Sequence, residues 1–198
     1  MKKIIKQIRQ NKLLFILTII TIVSILMGIL FPALLGKSDT TLIKDTITNY
    51  ITNIKGNKLN IPITLVSTTT NNVLVTVFLW LLGISLIGIP IIVLIIFFHG
   101  FLTGFSLSSI LITYKLKGLL LAIIYTIPNI LQLITSFLLS YYAISISLAI
   151  YKNILKKENI SWKIIIKRYI KLGLFFLVSS IVIAIIEVII IPKIITFL

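Results

Sequence analysis

Between Leu59 and Tyr114 the chain carries no formal charge, and its one histidine, His99, is read as neutral. At ~1.5 Å per helical residue, such a run is far too long for a single crossing of a ~30 Å hydrocarbon core. It has to fold back on itself inside the bilayer. Its small and helix-breaking residues are grouped: Gly83, Gly88 and Pro90 lie in the first half, and Gly100 and Gly104 form a GxxxG step in the second. Small residues let membrane helices approach closely, and Gly-Ile-Pro is where a helix can kink or turn. The reversal is placed at Gly88-Ile89-Pro90, with helices over 73–88 and 90–114. A reversal at His99-Gly100 is the alternative, although it leaves only a short return helix before Lys115.

Composition excludes a soluble fold. With 59% hydrophobic residues and a mean hydropathy of +1.19, the chain lacks the polar exterior needed to cover a soluble core. The fold class read from it is all-α, a polytopic membrane bundle of about five spans in one membrane domain. The net charge of +15 would suit nucleic acid, but the cations sit at membrane edges, where Lys and Arg fix orientation. No nucleic-acid partner is expected; the bilayer is the surrounding medium. The chain has no Cys, which excludes disulfides and thiolate metal sites.

The order of segments follows from charge. Residues 1–12 form a basic stub with Lys2, Lys3, Lys6, Arg9 and Lys12, ahead of an apolar first span over 13–35. That run is too long for a signal-peptide core and lacks an Ala-x-Ala exit. The hydrophilic segment 36–72 is read as external. Within it Ile43, Ile47, Tyr50, Ile51 and Ile54 recur at helical spacing, with Asp39 as N-cap and Gly56 as stop. This predicts a short amphipathic helix resting on the outer membrane face. Lys55 to Asn72, rich in Thr and Asn and interrupted by Pro62, reads as irregular or extended.

After Tyr114, Lys115 and Lys117 emerge outside, and the long apolar run from Gly118 to Tyr151 is broken at Pro128. Residues 118–127 are then a short half-buried segment and 129–151 the fourth span. The second basic cluster, 152–171, holds Lys152, Lys156, Lys157, Lys163, Lys167, Arg168 and Lys171. Trp162, Ile165, Ile166 and Tyr169 share a face there, capped by Ser161, which predicts an interfacial cytoplasmic helix. Residues 172–191 are the fifth span. This topology puts twelve basic residues inside and seven outside, so the N-terminus is cytoplasmic and the C-terminus external.

Candidate chemistry is sparse. An ionisable group within a span is a functional candidate by default, which singles out Glu187, with His99 and Asn129 as further intramembrane polar candidates. Glu187 also lies near the outer interface, about a turn from Pro192 and Lys193. His99 and Ser106 share a helical face, but two turns separate them by ~10 Å, beyond the reach of a nucleophile and its base. No second His could serve, and Leu107 stands where an intramembrane serine protease would carry Gly. The chain has no phosphate loop, zinc motif or carboxylate pair. It is read as no enzyme, with no cofactor and no metal. Packing is the clearer signal. Gly100, Gly104 and Ser108 repeat every four residues on the third span, and Ser136, Ser140, Ala143 and Ser147 form one face of the fourth. These two strips are expected to face each other. With Gly83, Gly88 and Pro90, they make up the helix-packing set.

The run GISLIGIPIIVLIIFFHGFLTGFSL resembles the signature of the stage II sporulation protein M family. The likeness extends to the basic stub and first helix, the external segment, the Pro128-Asn129 break, the basic loop and the closing IEVIIIP around Glu187. One departure is Ile134, where many relatives carry a second Pro. Another is Gln132, where the wider family often has a carboxylate. The resemblance implies a membrane scaffold of endospore engulfment rather than a catalyst. It implies as partners two peptidoglycan hydrolases, sporulation proteins D and P, and as location the septal and engulfing membrane of the mother cell. Self-association into a homo-oligomer is a further candidate, and the competing class is a small transporter or channel subunit with broken helices.

Overall fold

The computed structural model describes residues 11–56, 58, 60–156 and 162–197. The basic stub through Gln10, the Ser161 cap, and the Trp162 and Ile165 side chains of the shared face lie outside that description. The described chain is all-α with no strand, and five of its helical stretches are long and apolar enough to span a membrane. Helix α1 runs Lys12–Leu34, α2 Lys37–Lys55, α3 Ile61–Leu82 and α4 Gly88–Tyr114. A 3₁₀ turn, Lys115–Gly118, leads into α5, Leu119–Lys156. Helix α6, Trp162–Ile185, continues through a π-helical segment, Ile186–Ile190, into α7, Ile191–Thr196.

The 36–72 segment differs most from expectation. Helix α3 starts at Ile61, not near Val73, so the Thr- and Asn-rich stretch is helical. Asn60 caps it by accepting a hydrogen bond from the Ile63 amide, and Pro62 sits in the first turn, where no amide donor is needed. Inside a bilayer, backbone groups have to be satisfied within the segment, and that overrides the β-preference of Thr68, Thr69 and Thr70. Helix α2 forms as expected and stops at Gly56, but Gly36 is its N-cap and Asp39 lies inside the first turn. There its charge suits the positive end of the helix. The apolar face of α2 does not rest free on lipid. Ile51 and Ile54 are buried against Ile110, Leu121, Ala122, Ile191 and Ile195, so α2 lies across one end of the bundle.

The reversal between α3 and α4 spans Gly83 to Ile87, immediately ahead of the expected Gly88-Ile89-Pro90. It is held by Ile84 N–H to Leu81 O (3.2 Å), Ser85 N–H to Leu82 O (3.1 Å) and the Ser147 hydroxyl to Ser85 O (3.0 Å). Gly88 is needed here because a β-carbon would strike the Leu82 backbone. Pro90 falls in the first turn of α4, where its missing amide costs nothing. The alternative at His99-Gly100 is excluded, since both lie inside α4.

Pro128 does not break the chain. It is fully buried within one continuous helix, α5, so of the expected separate segment 118–127 only Gly118 lies outside the helix, and residues 119–127 are the first turns of the fourth span. Membrane helices tolerate proline where neighbouring helices and local adjustment meet the freed carbonyl. Likewise the basic stretch from Trp162 is no separate interfacial helix; it is the start of α6. Tyr169 is buried there, its hydroxyl donates to Trp80 O (2.5 Å), and Gly173 sits against the Trp80 ring.

Candidate functional site

Polar residues buried between the spans are where a bundle of this kind can do more than hold together. One cluster stands out, at the junction of α3, α5 and α6. The Thr76 hydroxyl donates to Asn72 O (2.9 Å) on its own helix, and its single proton is thereby used. The 2.6 Å contact between Thr76 Oγ1 and Ser180 Oγ is then a bond donated by Ser180. Gln132 Nε2 in turn donates to Ser180 Oγ (3.3 Å) and to Asn72 O (3.4 Å). The result is a directed chain, Gln132 to Ser180 to Thr76 to Asn72 O, linking three helices. Thr76, Ser180 and Gln132 are all buried, and Asn72 lies ~16 Å along α3, near the middle of a span.

Two atoms of this cluster are left over. Gln132 Oε1 and Asn72 Nδ2 are buried and have no hydrogen-bond partner of good geometry among the described residues. One is an acceptor and the other a donor, each costing about 1–3 kcal/mol if nothing meets it.

Glu187 extends the cluster toward the α2 end. It is half-buried in the π-helical segment, with the Asn72 side chain as its polar neighbour. The irregularity has a local cause. Pro192 cannot donate to the carbonyl four residues back, and Ile191 N–H bonds Ile186 O instead, one residue further than in an α-helix. Tyr50 of α2 lies close by, edge-on to Tyr125 with ring centroids 5.8 Å apart. Burial, and secondarily the negative charge of Glu187, push the Tyr50 hydroxyl above its ordinary range.

The intramembrane candidates are not one site. His99 and Asn129 are half-buried on α4 and α5, and neither side chain joins the cluster among the described residues. Asn72, Thr76 and Ser180 were missed, although the four-residue step from Asn72 to Thr76 and the seven-residue step from Ser180 to Glu187 put each pair on one helical face.

The small-residue strips do not meet each other. A β-carbon on Gly100 would strike Ser24, and one on Gly104 would strike the Ile25 carbonyl. The Ser108 hydroxyl reaches toward Gly28 O (3.5 Å) as well as Phe105 O (3.1 Å). The third-span strip therefore packs on α1, where Gly28 accepts the backbone of Phe101 in return. On α5, Ser147 and Ala143 face the α3–α4 reversal at Ser85 and Gly83, while Ser136 and Ser140 are buried with unpartnered hydroxyls. Helix α1 offers this strip a match of its own, with small residues Ser24 and Gly28 at the same four-residue spacing.

A family model described as stage II sporulation protein M matches residues 16–192, nearly the whole chain. The chain belongs to the stage II sporulation protein M family. No curated protein and no solved structure matches it. In stage II sporulation protein M terms, the matched region takes in the α1–α4 seam, the three-helix polar cluster and Glu187. Family membership and the five spans make this a multi-pass membrane protein of sporulation.

Proposed function

We propose that the chain is a non-catalytic scaffold of the engulfment machinery. It anchors septal peptidoglycan hydrolases, sporulation proteins D and P, while the mother-cell membrane migrates around the forespore. In this reading the N-terminus is cytoplasmic and the α2 side faces the wall. The observation that carries it is α2 itself. The helix is pinned to the bundle by Ile51 and Ile54, and turns Thr41, Lys44, Asp45, Thr48, Asn49 and Thr52 outward as a fixed polar shelf. A pre-formed shelf loses little freedom when a partner docks on it. Deleting the gene should leave vegetative growth intact, stop sporulation after the asymmetric septum forms and scatter the hydrolases. Normal engulfment in the deletion strain would overturn the assignment.

A second reading rests on the unpartnered Gln132 Oε1, a buried acceptor in the cluster that Glu187 and its π-helical segment extend, since such helix irregularities often mark functional sites and broken helices build transporter sites. Proton or sodium flux into liposomes holding the purified chain, lost in Gln132→Leu, would favour it over the scaffold.

A further inference from the structure

Helix α3 carries two adjacent asparagines at mid-span, Asn71 and Asn72, each about 15 Å from either end of the helix. Successive helical residues point ~100° apart, and the two side chains diverge accordingly. Asn72 turns toward Glu187 and the polar cluster, whereas Asn71 is exposed. It shares a lipid-facing strip with Ile63, Ser67, Thr70, Leu74 and Phe78, all of them exposed.

The other spans have no such strip. Over 13–34, 90–114, 119–151 and 172–190, every exposed side chain is apolar except Tyr142 and Tyr151. Hydrocarbon offers neither donor nor acceptor, so a polar group on a lipid face is costly until something covers it. Ser67 and Thr70 have a local remedy, because a hydroxyl can donate to a carbonyl four residues back. Thr64 and Thr76 of the same helix do so. Asn71 has no equivalent: its amide holds two N–H donors and a carbonyl acceptor, more than its own helix can meet. Turned outward at mid-membrane, such an amide suits contact with another helix.

Three features select that helix. The strip bears no charge, so it calls for no oppositely charged partner. An amide is its own complement, since the N–H of one meets the carbonyl of the other and the reciprocal bond closes the pair. A second copy inserted in the same orientation brings its own Asn71 to the same depth. A two-fold axis along the membrane normal then sets the two amides opposite each other. We propose that the outer strip of α3 is a homodimer interface. The Asn71 amides of two copies pair at its centre, with Ser67 and Leu74 packing one turn to either side.

The chain has no cysteine, which makes the test direct. Full-length Ser67→Cys, reconstituted in phosphatidylethanolamine–phosphatidylglycerol vesicles at a low protein-to-lipid ratio, should form an interchain disulfide on mild oxidation. Ile16→Cys and Leu94→Cys, on the lipid faces of α1 and α4, should not. Adding Asn71→Leu to Ser67→Cys should lower the association constant, titrated by lipid dilution, about tenfold. Asn71→Gln, which keeps the amide, should retain most of it. Thermal unfolding of both Asn71 variants, matched to the parent, separates loss of the dimer from loss of the fold. No disulfide at position 67, equal yields from the α1 and α4 controls, or association insensitive to Asn71→Leu would each overturn the proposal. So would a photoreactive residue at Leu74 that cross-links in cells to a different polypeptide. Ready reaction of Ser67→Cys with a water-soluble maleimide would also overturn it, by showing that the strip lines an aqueous path.

Discussion

Gly104 has no room for a β-carbon, because the Ile25 carbonyl of α1 occupies that space. Gly104→Leu should therefore destabilise the bundle by about 3 kcal/mol, read as earlier thermal unfolding in detergent, because neither backbone can yield without moving a whole helix. The contact is also directly checkable in a chain without cysteine. A β-carbon at Gly100 would lie 3.3 Å from Ser24 Cβ, close to the separation of a disulfide pair. Ser24→Cys with Gly100→Cys should oxidise to an intrachain disulfide, whereas Gly104→Cys with Ser140→Cys should not. Within the polar cluster, direction of donation decides cost. Ser180→Ala strips Gln132 of an acceptor and Thr76 of a donor, and should cost about 1–2 kcal/mol. Gln132→Leu also removes the unpartnered Oε1, and should cost under about 1 kcal/mol. Thermal unfolding of the two single variants side by side gives the order.

At the scale of elements, α2 and α5 behave differently from free segments. Ile51 and Ile54 are the buried contacts that hold α2 across the bundle end. Placing a carboxylate there, as Ile54→Asp, should release α2 while the five spans stay inserted, since an unpaired charge cannot be buried between helices. Limited proteolysis should then cut within 37–56 and leave the rest protected. In α5, Pro128 is an interior residue of a continuous helix. Pro128→Ala should restore one helical hydrogen bond and keep the number of spans, measured by reporter fusions on either side; a changed topology would mean that the proline sets a real break.

For the whole molecule, the asymmetry of charge predicts the orientation. Twelve basic residues sit in the N-terminal stub and the 152–171 region, and seven on the α2 side. A phosphatase fusion at Gly56 should be active outside the cell, and one at Lys156 should be silent. Abolishing the bias, by neutralising the Lys2, Lys3, Lys6, Arg9 and Lys12 charges so that seven stand against seven, should produce a mixed population in the same assay.

The number of spans, the reversal before Pro90, the amphipathic α2 and the family signature are all carried by local pattern: charge-free length, turn residues and helical periodicity. These depend on each segment's transfer into lipid, which a segment settles for itself. What the pattern could not assign was partnership. Gly100 and Gly104 announce a close contact without naming the helix that makes it, and only the packed bundle puts Ser24 and Ile25 there. The same holds for Thr68, Thr69 and Thr70, whose propensities point away from the helix they adopt once the bilayer demands satisfied backbone groups. Pro128 looked like a break because its neighbours in space were unknown. Asn72, Gln132 and Ser180 stand far apart in sequence, and become one hydrogen-bonded chain only because α3, α5 and α6 meet at that depth. In lipid, hydrophobicity does not choose between helix faces, so partner choice rests on close fit and polar contacts that exist only in the assembled fold.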